Sequence, residues 1–357
     1  MKQISSKDLS VVIQGAVTPC ETIPCLKSIR KYLPAAQIIL STWKNSDVSP
    51  YDGLYDILVL NDDPGAVVFE TEKQKTNSLN RILISSRNGI KNAERKYVLR
   101  MRSDLVLKND NILKLSDSFK HRNKSSSLFK NRIFAYDIFS LKFNSCKDIK
   151  QSMLFHISDW CYLGLRQDLE ELFNIPEVKE PEFSRYFESH DKAGTDIFPT
   201  RLWRMSPEQY FTYSNALKVF NNLKFENYLD VNPENITISE NFIINNFRVF
   251  SSTEWGIFTL KKQYSGTIMQ ARNQFMYYSL AEQKKDYKKY CDNSYEIKDV
   301  EFLENLYKIK YFEQLRKHFV LLRLSNPEKK LVELVSTFLY FGKFLFSLSG
   351  EVICRKK

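Results

Sequence analysis

The stretch Tyr97–Leu107, YVLRMRSDLVL, decides the fold that this sequence predicts. Its first half is apolar and β-branched, which is typical of a buried strand, and apolar residues resume after Arg102, Ser103 and Asp104. In an open α/β sheet, ligands bind in the crevice beyond the carboxyl ends of the strands. A strand that ends in Arg-Ser-Asp therefore places a guanidinium and a carboxylate at such a crevice.

These three residues predict a binding site for the donor in a nucleotide-sugar reaction. Asp104 is expected either to hold a divalent cation on a diphosphate or to hydrogen-bond a ribose or sugar hydroxyl, with Arg100 or Arg102 near the phosphates. The alternative is a strand-end turn with a solvated ion pair, because Asp and Ser are common turn residues.

The chain before this stretch predicts a parallel sheet. Apolar runs predict three strands, at Leu9–Val17, Ala36–Thr42 and Ile57–Leu60. A helix is expected between the first two, from Pro19 to about Tyr32. This succession is typical of βαβ units, so the predicted fold class is α/β, with a mostly parallel, Rossmann-like sheet and flanking helices.

Polar and small residues follow these strands. Gln14 and Gly15 end the first strand and suit close approach of a ligand to the backbone, although Gly15 also suits a tight turn alone. Asp62 and Asp63 precede Pro-Gly and predict a turn. In the alternative, one of them, taken as Asp62, contacts a base or a ribose at the same edge of the sheet.

A helix expected from Asn77 to about Asn92 carries polar groups near its start. Asn77, Asn80 and Arg81 share a face through their i, i+3 and i+4 spacing. Polar groups near a helix N-terminus suit phosphate, and an exposed, solvated face is the alternative.

The segment Phe155–Leu165, FHISDWCYLGL, surrounds His156 and Asp159 with aromatic and aliphatic residues. Buried polar groups must be paired, so Asp159 is either a structural acid satisfied internally or a sugar-binding acid. Asp159 and Trp160 together supply the acid and the aromatic platform that sugar sites combine, and His156 is a second candidate for acceptor binding.

The segment Ser206–Tyr210, SPEQY, predicts the start of a helix, because Ser-x-x-Gln forms a capping box and Pro is favoured at the first helical position. Glu208 lies in that first turn. An inverting sugar transfer needs a carboxylate to take the proton of the acceptor hydroxyl. Glu208 is the first candidate for this base and Asp159 the second.

The other elements are expected to complete the domain. They are a short helix near Ile112–Phe119, a mobile basic loop at Lys120–Lys130 that closes over an anionic donor, and strands at Arg132–Phe139 and Glu240–Phe250.

Composition excludes several classes of protein. The chain has 357 residues, of which 43% are hydrophobic, so it can build a full core. Its six cysteines have no paired metal spacing and only four histidines are present, which supports neither a zinc site nor a disulfide framework and favours a reducing compartment. The sequence shows neither the apolar core of a signal peptide nor an apolar run of about 18 residues, so it predicts neither secretion nor a membrane span.

The net charge of +11 is concentrated near the C-terminus. Residues 261–357 hold 19 Lys and Arg against 11 Asp and Glu, a balance of +8, which leaves +3 for the first 260 residues. Such an excess suits nucleic acid, an anionic membrane surface or a merely solvated helical face. Nucleic acid is disfavoured, because this region has no stacking aromatics on a sheet and matches no known module.

This C-terminal region predicts three helices, at Ile268–Tyr290, Val300–Leu324 and Pro327–Leu348. The last has an apolar stripe from Leu331 to Leu348 that Glu333 and Lys343 interrupt. It is therefore expected either to lie on a membrane surface or to pack on the domain or on a second subunit.

The succession IQGAV, IILSTWK, VLNDDPGA, NSLNR, RSD, FHISDW and SPEQY, over about residues 10–250, resembles the WavE lipopolysaccharide-synthesis family of bacterial glycosyltransferases. The resemblance implies a GT-A-type sugar transferase that builds lipopolysaccharide core, O-antigen or capsule. It places six candidates in the shared segments: Gln14, Asp62, Arg81, Asp104, Asp159 and Glu208. Where GT-A enzymes generally carry Asp-x-Asp, this chain has Arg-Ser-Asp. Two alternatives therefore stay open: Asp104 binds Mn²⁺ or Mg²⁺, or the enzyme needs no metal because Arg102 supplies the positive charge.

These observations predict a GT-A-like transferase domain over residues 1–260 and a basic helical appendage over residues 261–357. In the expected reaction, Arg102, Arg81 or a metal at Asp104 stabilises the leaving diphosphate while Glu208 or Asp159 deprotonates the acceptor; a retaining enzyme needs no such base. The alternatives are a sugar-phosphate transferase that uses the same crevice and a non-catalytic scaffold of a polysaccharide assembly complex.

The expected partners are a nucleotide-sugar donor, a glycan or lipid-linked glycan acceptor, and the inner-membrane surface, but not nucleic acid. Whether the protein forms a homo-oligomer is left open. The expected location is the cytoplasm, either free or peripheral on the cytoplasmic face of the inner membrane.

Overall fold

The structure of the protein is a computed structural model that describes residues 4–70, 73–146, 149–192, 196, 198–260, 275–297 and 327–354. The chain divides into two compact units. The first comprises Met1–Lys261 and Tyr277–Ser294, and the second comprises Lys262–Met276 and Tyr295–Lys357. Residues 277–294, which were expected to belong to the helical appendage, thus belong to the first unit.

The strands of the described residues are β1 (Leu9–Gln14), β2 (Gln37–Trp43), β3 (Ile57–Asn61), β4 (Val67–Glu70), β5 (Lys75–Asn77), β6 (Tyr97–Arg102), β7 (Leu105–Leu107), β8 (Ile133–Tyr136), β9 (Leu141–Cys146), β10 (Ile149–Ser152), β11 (Cys161–Leu165), β12 (Phe247–Phe250), β13 (Ile257–Thr259) and β14 (Phe275–Tyr277). The α-helices are α1 (Pro19–Tyr32), α2 (Leu79–Lys91), α3 (Arg166–Phe173), α4 (Pro207–Ala216), α5 (Pro233–Asn246), α6 (Ser252–Trp255), α7 (Leu280–Tyr290) and α8 (Pro327–Cys354).

A seven-stranded sheet in the order β12-β8-β11-β6-β1-β2-β3 forms the centre of the first unit. Six of its strands run in one direction and β11 runs against its neighbours β6 and β8. Every residue of β1 and β2 is buried, as expected for central strands with both faces covered. The predicted mixed α/β fold with a mostly parallel sheet and flanking helices is confirmed.

The reversed strand brings two distant segments to one edge of the sheet. Cys161, the first residue of β11, pairs with Met101 near the end of β6. The backbone N–H of Arg102 donates to the carbonyl of Trp160 at 3.3 Å. The residues that precede β11 therefore lie beside those that follow β6.

Helix α2 lies unusually close to the sheet at Gly89. A Cβ at this position would lie 2.5 Å from Val12 Cγ1 and 3.0 Å from Ser41 Cβ, so a larger residue would push the helix outward. The close approach allows Ser41 Oγ to donate to the Ser85 carbonyl and Ser85 Oγ to donate to Gln14 Oε1, both at 2.7 Å. Gln14 is thereby held by the helix that covers its strand.

Several predicted elements agree with the structure and others do not. The first three strands, α1, α2 and the start of α4 lie where the sequence places them. The expected helix over Ile112–Phe119 is wrong, because only a single 3-10 turn, Asn111–Lys114, forms there. The strand expected over Glu240–Phe250 is wrong for its first part, because α5 continues as far as Asn246. Only Phe247–Phe250 forms a strand, β12.

The basic loop over Lys120–Lys130 was expected to be mobile, and the structure fixes it instead. Arg122 Nε donates to the Asn245 carbonyl at 2.6 Å. Asn246 accepts from the Leu128 N–H and donates to the Ser126 carbonyl, both at 2.7 Å. The expectation failed because these partners come from α5, about 120 residues further along the chain. The strand that follows is also shorter than predicted, Ile133–Tyr136.

The C-terminal helices were predicted in part. Helix α7 covers only the end of the segment expected to be helical, and Phe275–Tyr277 forms a strand instead. The helix predicted over Val300–Leu324 lies outside the described residues, and α8 confirms the last one. Among the described helices, none is long and apolar enough to cross a membrane.

Candidate active site

Arg102 and Asp104 form a bidentate ion pair where β6 ends. Arg102 Nε and Nη2 donate to the two carboxylate oxygens at 2.9 and 2.8 Å, and the Asp104 side chain is only 2% exposed. The guanidinium also lies over the Trp160 ring, 4.5 Å from its centroid. Ser103 is the first residue after the strand. Its Oγ donates to the Ala16 carbonyl at 2.5 Å, which holds the residue in place.

This pairing bears on the predicted cation at Asp104. Both carboxylate oxygens already accept from Arg102, and Thr259 Oγ1 lies 3.5 Å from Oδ2. In the part of the chain that the structure describes, no three acidic, His or Cys side chains are grouped so that they could hold a metal ion. In this arrangement the Arg102 guanidinium occupies both oxygens to which a cation at Asp104 would bind. Binding of Mn²⁺ or Mg²⁺ and metal independence both stay predictions.

Asp159 and Glu208 are the two acids of the site. Asp159 lies just before β11 and is 6% exposed, while Glu208 lies in the first turn of α4 and is half-buried. The capping box of Ser206 and Gln209 that starts α4 is formed as predicted. Gln209 Nε2 also donates to the Leu154 carbonyl at 3.0 Å, which ties the helix start to the segment that carries Asp159.

His156 strengthens this connection. Its Nδ1 lies 2.8 Å from the Phe139 carbonyl, so Nδ1 carries the proton, and its Nε2 accepts from Ser206 Oγ at 3.2 Å. Burial lowers the pKa of His156 to about 4, so the ring is neutral at pH 7. Protein partners occupy both ring nitrogens, and the residue positions Ser206 at the start of α4. Its predicted contact with an acceptor stays a prediction.

Burial makes both acids weak, and repulsion by Glu208 weakens Asp159 further. Burial is the main cause that raises the pKa of Asp159 to about 6. The nearby Glu208 carboxylate also raises this pKa, while Arg100 and Arg102 lower it. Burial also raises the pKa of Glu208, which Ser206, Arg201 and Arg102 partly oppose. Such paired, perturbed carboxyls in a crevice are typical of sites that move protons.

Asp159 makes the stability of the fold depend on pH. Because its pKa in the folded state exceeds that in the unfolded chain, the folded state binds the proton more tightly, and stability falls as pH rises from about 4 to about 6. Asp159→Asn should therefore increase the free energy of unfolding at pH 7 by up to about 3 kcal/mol, which raises the melting temperature. At pH 4 the substitution should change the stability little. Thermal melts of both proteins across this range test it; equal gains at both pH values would contradict it.

Two further arginines belong to the site: Arg100, which was expected as the alternative to Arg102 near the phosphates, and Arg201, which was not predicted. Arg100 is fully buried in β6, donates from Nε to Ser86 Oγ at 2.8 Å and from Nη1 to the Asp159 carbonyl, and leaves Nη2 without a hydrogen bond among the described residues. Burial lowers its pKa to about 10, so it stays charged at neutral pH. Arg201, whose guanidinium lies 3.4 Å from the Phe198 ring centroid, acts on the Glu208 carboxylate. No sequence pattern pointed to Arg201, because it lies in an irregular segment.

The end of β1 faces open space. Gly15 has φ +103°, which favours glycine, and a Cβ there would meet nothing within 4 Å. The Gln14 oxygen accepts from Ser85, which orients the amide, and its amide nitrogen has no hydrogen bond within the described residues. Gln14 therefore presents its side-chain amide to a ligand at this edge. The Gly15 N–H donates to the Ser41 carbonyl at 3.1 Å, so Gly15 offers open space beside the backbone and no free donor.

The remaining predicted donor contacts have partners within the protein. Asp62 is 87% exposed and pairs with Lys44 at 2.8 Å. Arg81 forms a bidentate pair with Asp63, with both bonds at 2.6 Å. Asn77 is buried, donates to Ser184 Oγ at 3.0 Å and accepts from the Leu79 N–H, so it holds the start of α2.

Trp160, the predicted acceptor platform, is 3% exposed. One neighbour is Phe139, with ring centroids 5.4 Å apart, and Arg102 lies over the indole. The ring positions Arg102, and a direct contact with an acceptor stays a prediction.

Comparison with protein families identifies the chain. The family model described as WavE lipopolysaccharide synthesis matches residues 9–319. The chain belongs to the WavE family. The WavE match includes every candidate residue named above, from Gln14 to Glu208, and it confirms the resemblance found in the sequence. Membership in the WavE family indicates a role in lipopolysaccharide synthesis.

Other known proteins add little about this WavE protein. No curated protein matches it. Among solved structures, HddC from Yersinia pseudotuberculosis is similar to it, with 12% identity, and the match covers 46% of this chain and 79% of that chain. The TM-score of 0.28 is too low to support a conclusion about fold or activity.

Proposed function

We propose that this WavE-family protein is a glycosyltransferase of the GT-A type that moves a sugar from a nucleotide-sugar donor to a bacterial surface glycan, which is lipopolysaccharide core, O-antigen or capsule. The observation that carries the proposal is the pair of weak acids, Asp159 and Glu208, beside Arg102 at the carboxyl edge of the sheet. Ligands of open α/β sheets bind at this edge.

In the proposed reaction, Glu208 acts as the general base. It is only half-buried, so an acceptor hydroxyl can reach it, and its raised pKa brings it closer to neutral pH, where a base works best. The hydroxyl oxygen attacks the anomeric carbon, its proton passes to Glu208, and the bond to the nucleotide diphosphate breaks with inversion. Asp159 is the second candidate for this role.

Arginine side chains stabilise the leaving diphosphate in this proposal. Arg102 is held rigidly by Asp104 and Trp160, and Arg201 lies near Glu208. A fixed positive charge at the position where negative charge develops lowers the barrier without reorganisation. Donor binding is assigned to Gln14, Gly15 and Ser103 at the same edge. A bound Mn²⁺ or Mg²⁺ is the alternative source of positive charge, and the experiment below includes both conditions.

The test is a thermal-shift screen of the purified protein against UDP-, GDP-, CMP- and dTDP-sugars, each with and without Mn²⁺. A ligand that binds only the folded state raises the melting temperature, so one nucleotide class should stabilise the protein. A shift that persists without Mn²⁺ supports the arginine mechanism, and one that requires Mn²⁺ supports a cation. No shift with any donor contradicts the proposal.

We also propose that α8 binds the inner-membrane surface, where a lipid-linked acceptor would be presented. Its apolar residues cover one half of the helix surface and are exposed, among them Leu331 at 68% and Phe338 at 66%. Glu333 and Lys343, which were expected to interrupt the apolar stripe, lie with Ser336 on the other half, and Arg355, Lys356 and Lys357 follow the helix in the sequence. An amphipathic helix with flanking basic residues is typical of peripheral membrane binding.

Replacing Phe338 by Glu should weaken this binding by about tenfold or more, because it removes a large apolar side chain and adds a charge to the membrane face. Ser336→Glu is the matched control, since it adds the same charge to the polar half. Co-sedimentation with vesicles containing anionic phospholipid measures both variants. Equal binding by the two variants, or no binding by the unmodified protein, would contradict the proposal.

A further inference from the structure

A second cleft, of about 660 Å³, lies in the first unit away from Asp159 and Glu208. It is lined by residues between Glu177 and His190 together with Arg204 and Tyr210. Its volume is within the range of about 300–1,000 Å³ that is usual for ligand sites.

Aromatic rings form one wall of the cleft. Tyr186 and His190 stack face to face, with ring centroids 3.9 Å apart and ring planes 7° from parallel. Tyr186 is half-buried and His190 is exposed, so the stacked rings are accessible from the cleft. Phe183 and Tyr210 meet edge to face at 5.4 Å and extend this wall.

The charges in the cleft balance. The lining contains three basic and three acidic side chains: Lys179, Arg185, Arg204, Glu177, Glu182 and Glu188. Most are already paired, as in Lys179 with Glu182 at 3.2 Å and Arg185 Nε with Glu188 at 2.7 Å. A strongly charged ligand would therefore meet no opposing net charge, and an apolar ligand would remove these ion pairs from water at a cost. Hydroxyl groups, which both donate and accept, match the lining.

We infer that this cleft binds a neutral oligosaccharide segment. Stacked rings beside mixed donors and acceptors provide the apolar contact area and the few polar contacts that such a ligand needs. The identification of the oligosaccharide as part of the acceptor, away from its reacting end, rests on the proposed function.

The cleft is connected to the candidate active site through the start of α4. The backbone N–H of Arg204 donates to the Phe183 carbonyl at 2.9 Å, and Arg204 lies two residues before the helix cap Ser206. Tyr210, on the cleft wall, belongs to the same helix as Glu208. A glycan held in the cleft is thus held against the helix that carries the proposed base.

The experiment measures binding of neutral bacterial surface oligosaccharides, free of lipid and of nucleotide, to the full-length protein and its variants on an array, followed by titration of the strongest binder. Tyr186→Ala should weaken that binding by about tenfold, since it removes a ring that makes the contact area. His190→Ala changes an exposed residue and keeps the test valid if Tyr186→Ala fails to fold. Tyr32→Ala, at the end of α1, is the matched control outside the cleft.

The same variants are measured in the nucleotide-sugar thermal-shift screen, where their shifts should equal that of the unmodified protein. Loss of glycan binding in the cleft variants alone supports the inference even if no nucleotide sugar binds, in which case only the proposed function fails. Glycan binding that is unaffected by both cleft variants, or no glycan binding to the unmodified protein, overturns the inference.

Discussion

Replacing Glu208 by Gln is expected to lower the rate of sugar transfer by about 10²- to 10⁴-fold, the usual contribution of a general base. The amide cannot accept the proton of the acceptor hydroxyl at neutral pH. The change should leave the fold intact, because Ser206 and Gln209 form the capping box at the start of α4, and an amide oxygen at position 208 can still accept a hydrogen bond from Ser206. Donor binding, measured by thermal shift, should be retained.

Glu234→Gln is the matched control for this experiment. Glu234 also lies in the first turn of a helix, α5, directly after an N-terminal proline, and it is exposed. Transfer is measured with the donor that the thermal-shift screen selects, and the Asp159→Asn variant is measured beside it. A rate lost only in Asp159→Asn would move the role of base to that residue. Full activity in both variants would contradict an inverting mechanism that uses either acid.

Replacing Arg102 by Ala is expected to destabilise the protein by about 3–5 kcal/mol, because it leaves the Asp104 carboxylate buried without its partner. The Asp104 side chain is 2% exposed, so water cannot replace the guanidinium. Urea denaturation measures the loss. Arg81→Ala breaks the bidentate pair with Asp63, whose side chains are 34% and 30% exposed, and should cost less than about 1 kcal/mol.

The double variant Arg102→Ala with Asp104→Asn separates charge from packing. It removes both charges, so it should recover part of the stability that Arg102→Ala loses. If Arg102→Ala lowers the free energy of unfolding no more than Arg81→Ala does, the pair of Arg102 and Asp104 is exposed to water in solution. Asp104 would then be available to a cation, and metal-dependent donor binding would become the expected result of the thermal-shift screen.

The end of β6 shows what could be predicted from local sequence. The apolar run and the turn residues Arg-Ser-Asp predicted a strand end at a ligand-binding edge, and the strand ends at Arg102. The sequence also left open an ion pair at this turn, which the structure contains, although it is buried and not solvated. The degree of burial depends on Trp160 and Thr259, which lie far away in the chain, so the sequence did not predict it.

Helix α5 shows where local sequence misled. The apolar run FIIN before β12 is short enough to suit either a buried strand or a buried helix, and periodicity alone does not separate them. The decisive signal was further upstream, where Asn232 accepts from the Asn235 N–H at 2.9 Å and Pro233 occupies the first turn. Asn245 and Asn246 at its end are buried because they bind the loop before β8.

The reversed strand β11 has a consequence for synthesis of the chain. Strand β6 pairs on one side with β1, which has already left the ribosome, but its other side waits for residues 161–165, about 60 residues later. During that interval the growing chain exposes an unpaired, apolar strand edge, which is a known route to aggregation. Slow translation at low temperature would give each nascent segment time to fold, but it would also prolong this exposure. A chaperone that covers apolar segments should therefore raise the yield of folded protein when it is co-expressed.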